Sequence, residues 1–218
     1  MPARRKPVTR PPENLGKDRE HGSSRAAFRK LTRDDRDAFE RHLPRLDPED
    51  RRLRFWAAVR GSVISDYFDR LDWHAALLIG AFGDGDLRGV GKLLRVRTIP
   101  NLLAEVALSV EGPWQNEGIG TELMRRVLNG AYNRYIDRVC MVCLAENKNM
   151  QSISRKFEAN LIHQLGEVEG RIWSAWPSYL SLMEEASHDG HAFWNAVFDP
   201  AMVTKGGALP WLGVEAKE

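Results

Sequence analysis

Hydrophobic positions change period twice along this chain. In the first third they recur at helical spacing. Thr32 followed by Asp35 resembles a helix N-cap with an acid in the first turn, and Ala38, Phe39 and Leu43 continue the stripe until Pro44 closes it. Asp47 and Pro48 open a second short helix carrying Leu53, Phe55 and Trp56, and residues 62–71 form a third, with Val63, Ile64, Tyr67 and Phe68 on one side. The period then shortens. Residues 74–82 read as an apolar strand, and Gly83-Asp84-Gly85-Asp86 is hairpin turn chemistry. Residues 87–96 and 103–110 give two more strands, so the middle of the chain is a meander. After Gly112-Pro113 the helical period returns over about 118–135, with Ile119, Leu123, Val127 and Ala131 four apart. A strand at 139–144, a helix at 147–157 and strands at 161–165 and 171–176 complete the pattern. This order predicts an α/β fold with a mixed central sheet flanked by helices.

Beyond residue 177 the pattern weakens. Leu182 and Met183 suggest a helix, and 191–198 a second piece whose Phe193, Trp194 and Phe198 are too apolar for a free tail. Residues 178–218 are therefore expected to pack on the domain or on a partner. Residues 1–25 hold seven basic against three acidic side chains and four prolines, with little to bury. They read as a disordered basic leader, and 26–177 as the folded domain.

The 218 residues carry a net charge of +2, which resolves into +4 on the leader and −2 on the remainder. No strong basic excess argues for nucleic acid, so binding through the leader ranks last. No stretch approaches the roughly 18 apolar residues of a membrane span, and two cysteines build no disulfide framework, so a cytoplasmic protein is expected. Cys140 and Cys143 form a Cys-x-x-Cys, but on a strand residues three apart face opposite ways and cannot chelate together. No metal is expected, and His188 and His191 read as surface histidines. Trp114, Trp173 and Trp176 read as core or pocket walls.

The chemistry concentrates at 104–121. A strand ends, a loop follows, and a helix starts on Gly118 and Gly120. Glycines there expose amide donors at a helix N-terminus, a geometry that holds phosphate. The absence of Gly-Lys-Ser/Thr excludes a P-loop, and Leu123 stands where a dinucleotide fingerprint needs its third glycine. Glu105 shares a strand face with Ala107 and Ser109. A carboxylate there is either a proton acceptor or the partner of an arginine on an exposed face.

Gln115-x-x-Gly118-x-Gly120 after a strand beginning Ala104-Glu105 is similar to the Gln/Arg-x-x-Gly-x-Gly/Ala motif of the GNAT superfamily of N-acetyltransferases. Asn147-x-x-Met150-x-x-Ile153-x-x-Lys156 resembles that family's second acetyl-CoA segment, and the element order matches over about 27–176. Arg52 to Trp56, with residues 62–72, further resembles bacterial GNAT domains related to protein-lysine acetyltransferases. The resemblance implies a mostly antiparallel sheet and acetyl-CoA as co-substrate. It implies that Leu108, Ser109 and Val110 pair with the pantetheine amides. Gln115, Asn116, Glu117, Gly118, Ile119, Gly120 and Thr121 would wrap the diphosphate, and Asn147 would bond the pantetheine arm. Glu105 would take the proton of the amine. Position 154, where many members carry the tyrosine that protonates the departing thiolate, holds Ser154, and Glu158-Ala159 replaces the usual Gly-Phe. The expected activity is acetyl transfer by direct attack of a primary amine, small molecule or protein lysine. The alternative is a catalytically weak acyl-CoA-binding regulatory module. No membrane partner is expected, and a homodimer is compatible with the reading.

Overall fold

A computed structural model describes residues 26–55, 61–96, 103–173, 182–183 and 185–186. The leader, Trp56, Trp176, His188, His191 and most of the 178–218 extension lie outside the described residues. The elements run β1 (Ala27–Lys30), α1 (Arg36–Arg45), α2 (Pro48–Phe55), α3 (Gly61–Asp69), β2 (Ala76–Gly83), β3 (Asp86–Val96), β4 (Leu103–Val110), α4 (Ile119–Asn133), β5 (Arg138–Leu144), α5 (Lys148–Lys156), β6 (Asn160–Gln164) and β7 (Glu167–Trp173). The seven strands form one sheet in the order β1-β2-β3-β4-β5-β7-β6. Every neighbouring pair is antiparallel except β4 with β5. The expected mixed, mostly antiparallel α/β fold is therefore the one observed.

Alternation along the strands sorts the core into two layers. On one face Leu77, Leu93, Val106, Val139 and Met141 pack against Leu123, Met124, Val127 and Leu128 of α4. On the other, Leu78, Leu87 and Val90 meet Phe39 and Leu43 of α1 and Ile64 and Phe68 of α3. Phe39 and Phe68 stand edge to face, with centroids 4.9 Å apart. Cys140 is half-buried and Cys143 buried, as opposite faces of β5 require.

The β2–β3 hairpin turns on Asp84 and Gly85, both at positive φ (51° and 79°), as a two-residue turn matched to strand twist demands. Just before it, a Cβ on Gly83 would lie 2.2 Å from the indole of Trp114, which is 3% exposed. Gly83→Ala is therefore expected to destabilise the fold by about 1–3 kcal/mol. Thermal denaturation would register a fall of several degrees.

The main departures from the expected elements are at β1, at the end of α1 and at β6–β7, where β7 begins at Glu167 rather than 171. β1 was not anticipated: four residues, two of them basic, are too short to show alternation, and Arg29 leaves the strand to pair with Asp35 at 2.5 Å. Pro44 lies inside α1 rather than after it, because the helix closes one residue later on the Leu46 N–H to Leu43 carbonyl bond. β6 stops at Gln164 and β7 begins at Glu167. Leu165, apolar but fully exposed, occupies the turn with Gly166 at positive φ (41° and 89°).

Of the extension, Leu182, Met183, Glu185 and Ala186 are helical. Glu185 accepts hydrogen bonds from Asn133 and Arg134 at the end of α4.

Candidate active site

The one parallel pairing in the sheet is short, and that shortness makes the site. β4 and β5 are in register only from Leu103 to Glu105 against Arg138 to Cys140. Beyond Glu105, β4 continues to Val110 with β3 on its other edge, while β5 continues to Leu144 beside β7. The strands splay, and the β4 edge from Val106 to Val110 has no strand partner among the described residues. Unpaired strand amides and carbonyls are a template for an extended ligand.

A cleft of about 330 Å³ fills the splay. It brings together most of the expected residues: Glu105, Leu108, Ser109 and Val110 from β4, Gln115, Asn116, Gly118, Gly120 and Thr121 from the following loop and helix, and Asn147 at the end of β5. Glu117 is half-buried outside the lining, and the Ile119 side chain is buried in the core. Ser154 is not brought there. On α5 the cleft-facing positions include Asn149, Ser152, Ile153 and Lys156, spaced three and four apart. Ser154 lies on the opposite side with Gln151, fully buried, its hydroxyl without a hydrogen-bond partner among the described residues.

The loop after β4 lines the cleft at Gln115, Asn116, Gly118, Gly120 and Thr121. Asn116 (φ 63°) and Gly118 (φ 84°) both occupy the left-handed region, and Gly118 caps α4. Glu122 N–H to Gly118 O opens the helical ladder, so the amides of Ile119, Gly120 and Thr121 precede it. Partial positive charge collects there. Gly120 also permits close packing, since a Cβ would meet Ile153 Cδ1 at 2.9 Å. The Gln115 side-chain amide donates to the Val110 carbonyl (3.0 Å) and to Asp50 (2.8 Å), which fixes the loop against β4 and α2. Burial raises the Asp50 carboxyl, with the Gln115 bond opposing it.

Asn147 caps α5, its side-chain oxygen accepting from Met150 N–H at 2.9 Å. Its amide nitrogen is the group left to donate into the cleft. Above the splay, Arg52 of α2 joins Glu146 of the β5–α5 loop at 2.5 Å and Glu49 at 2.6 Å, linking the helical layer to the far side.

Glu105 stands at the apex, the last β4 residue paired with β5. It is exposed, lies opposite Leu94 on β3 and Cys140 on β5, and has no ion-pair partner among the described residues. The Cys140 thiol is pushed up by burial and by the negative charges of Glu105 and Glu169. Of the two readings left open by the sequence, the arginine-paired carboxylate does not match this environment.

Sequence reasoning missed two parts of the cleft. Arg54 and Asp50 line it from α2. The wall behind Ser109 is a buried polar cluster: His42 Nε2 lies 3.0 Å from Ser109 Oγ, and His42 Nδ1 lies 3.1 Å from Glu111 Oε1. Separations of 67 and 69 residues left no sequence signal for it.

Known proteins place the chain. The GNAT domain of S. lividans PAT superposes with a TM-score of 0.59 at 20% identity, covering 68% of this chain and 90% of that one. A ribosomal-protein-alanine N-acetyltransferase from Brucella melitensis superposes at 0.54 and 14% identity, covering 67% and 98%. A curated relative, a transposase for insertion sequence element IS1001 from Bordetella parapertussis, is 30% identical over 130 residues. That match takes in 55% of this chain and 31% of the relative, so the chain spans under a third of its length. The family model of the acetyltransferase (GNAT) domain matches residues 25–160. With that match over more than half its length, and the fold to go with it, the chain belongs to the GNAT acetyltransferase family.

Proposed function

We propose that this protein transfers an acetyl group from acetyl-CoA to a primary amine by direct attack of the amine. The observation that carries the reading is the coincidence, in one cleft, of a strand edge unpaired among the described residues, a helix start whose first amides precede the helical ladder, and an exposed carboxylate at the apex with no ion-pair partner among the described residues. The edge at Leu108, Ser109 and Val110 fits an amide-containing arm laid down as an added strand. The main chain from Gln115 to Thr121 fits a diphosphate, which local amides rather than net charge would hold. Asn147 would donate to the arm. When bound, acetyl-CoA supplies an activated acyl carbon with a thiolate leaving group.

Glu105 receives the amine's proton, directly or through one water, so that the neutral amine attacks. Its exposure leaves it open to a cationic acceptor entering from solvent. Ser154 lies too deep to protonate the departing thiolate, and this observation favours a second reading, an acyl-CoA-binding regulatory module with weak catalysis. The domain is taken as 26–177, with the Glu185 contacts to α4 supporting a packed extension. Among the described residues no helix is long and apolar enough to cross a membrane, and no cluster of His, Cys, Asp or Glu is arranged to hold a metal. A cytoplasmic location and a homodimer remain proposals of the same reading.

The test is release of CoA thiol from acetyl-CoA across a panel of amines, from polyamines to lysine-containing peptides. Amine-dependent release supports transfer. Binding of acetyl-CoA without any amine-dependent release supports the regulatory module instead.

A further inference from the structure

The proposed transfer uses Glu105 and leaves the opposite charge beside it without a role. Glu105 and Ala107 share one face of β4, and both line the cleft. Ala107 lies opposite the half-buried Lys92 on β3, which sets Lys92 diagonally from Glu105 on that face. Such diagonals stand about 7–8 Å apart, within reach of a lysine. Lys92 turns to an aromatic ring instead. Its Nζ lies 4.9 Å from the centroid of Tyr67 on α3. The guanidinium carbon of Arg54 lies 6.0 Å from the same centroid and 5.1 Å from that of Phe55. Glu105, Lys92 and Arg54 each have no ion-pair partner among the described residues.

The shared ring also fixes where Arg54 stands. Arg54 lines the cleft one helical turn after Asp50, whose bond to Gln115 ties the start of α2 to the loop. Meeting Lys92 at Tyr67 puts Arg54 at the Glu105 end. Residues 56–60 and 97–102, which adjoin this wall in sequence, add Arg60 and Arg97 and no acid. Cations on a plain solvated face need no common aromatic ring. Here one ring restrains two of them beside a cleft before any ligand arrives. One carboxylate and two cations without counter-ions complement a zwitterion. A polyamine, or a lysine among basic neighbours, would bring positive charge against Arg54 and Lys92.

We propose that the acceptor is a free amino acid, its amine facing Glu105 and its α-carboxylate held by Arg54 and Lys92. Arg54 offers a planar fork to the two carboxylate oxygens, and Lys92 a point charge. Holding the carboxylate fixes the amine beside Glu105, so the gain enters both KM and kcat. The amine end of this assignment rests on the proposed function, whereas the carboxylate end does not.

The experiment measures thiol release by the full chain with L-amino acids, each set against its α-amide and its decarboxylated amine. Dipeptide amides beginning in Asp or Glu test whether a side-chain carboxylate serves instead. Calorimetry in the presence of free CoA records binding of the same compounds without turnover, and acetyl-CoA affinity is measured for each variant. The expected result is a kcat/KM at least about tenfold higher for one or more amino acids than for the matching amide and amine. Arg54→Ala and Lys92→Met should each shrink that ratio toward one. Amides and amines used as well as the amino acids overturn the inference and leave the proposed transfer standing. A loss of acetyl-CoA affinity in Arg54→Ala with an unchanged ratio overturns it too, as does a preference for the acidic dipeptide amides. If no amine releases thiol, the proposed transfer fails. Tighter binding of an amino acid than of its amide, lost in Arg54→Ala, then upholds the carboxylate subsite, and equal binding overturns it.

Discussion

Glu105→Gln is expected to lower amine-dependent thiol release by about 10²–10⁴-fold at neutral pH, the range removed with a general base. The substitution keeps the shape and removes the proton acceptor. Because the side chain is exposed and has no ion-pair partner among the described residues, the fold should barely register the change, within about 0.5 kcal/mol. Acetyl-CoA affinity should also hold, since Glu105 sits at the apex and the binding groups lie farther along β4, on the loop and at Asn147. The comparison of wild type and variant therefore needs both readouts, initial rate and acetyl-CoA thermal shift. Wild-type rates from a variant with a normal shift would remove Glu105 from the mechanism.

The second large effect is on stability. Glu111→Gln leaves Arg45, Arg88 and His42 around a neutral amide in a site that is nearly closed to solvent. Removing one member of a buried ionic cluster typically costs about 3–5 kcal/mol, and a value near 3 is expected here because Arg45 is one-third exposed. The pH dependence distinguishes this from a packing defect. Glu111 is depressed from 4.5 to about 2, so its contribution is present above 4.5 and is lost as pH falls through about 2. His42 works in another window. Its folded value lies below 6.5, so the unfolded chain binds the proton first and stability begins to fall as pH drops below 6.5. Wild type should therefore lose stability in both windows, and the variant should lack the lower one. A melting temperature measured from pH 7 to pH 2 would show it. Parallel curves for the two proteins across the acid limb would contradict the assignment.

How much of this was legible depends on sequence distance. β4 was read at its observed bounds because Leu103–Val110 alternates and is fenced by breakers, and the β2–β3 turn was legible in Asp84-Gly85. The starts of α4 and α5 were legible at Gly118 and Asn147, though that Asn147 caps α5 emerged only from the structure. The splay was not. It follows from a three-residue parallel register that no local pattern encodes. Ser154 aligned with a functional position by spacing alone, whereas α5 turns it about 100° per residue away from Ile153 and into the core. β1 and the β6–β7 turn escaped because edge strands are short and because Leu165 is apolar without being buried. No spacing in the sequence singles out His42, and only the packing of α1 on the sheet gives it Ser109 and Glu111 as partners.

The proposed transfer requires, before anything else, that acetyl-CoA occupy the β4–β5 splay. Titration calorimetry of the full chain with acetyl-CoA, repeated with Gly120→Val, measures this. A side chain at position 120 meets Ile153 Cδ1 and crowds the amides at the start of α4. Saturable one-to-one binding by the wild type, weakened at least about tenfold in a variant that still melts cooperatively, is the predicted result, a loss of roughly 1.4 kcal/mol. No heat of binding from a folded wild-type protein, or equal affinity in the two, would contradict it.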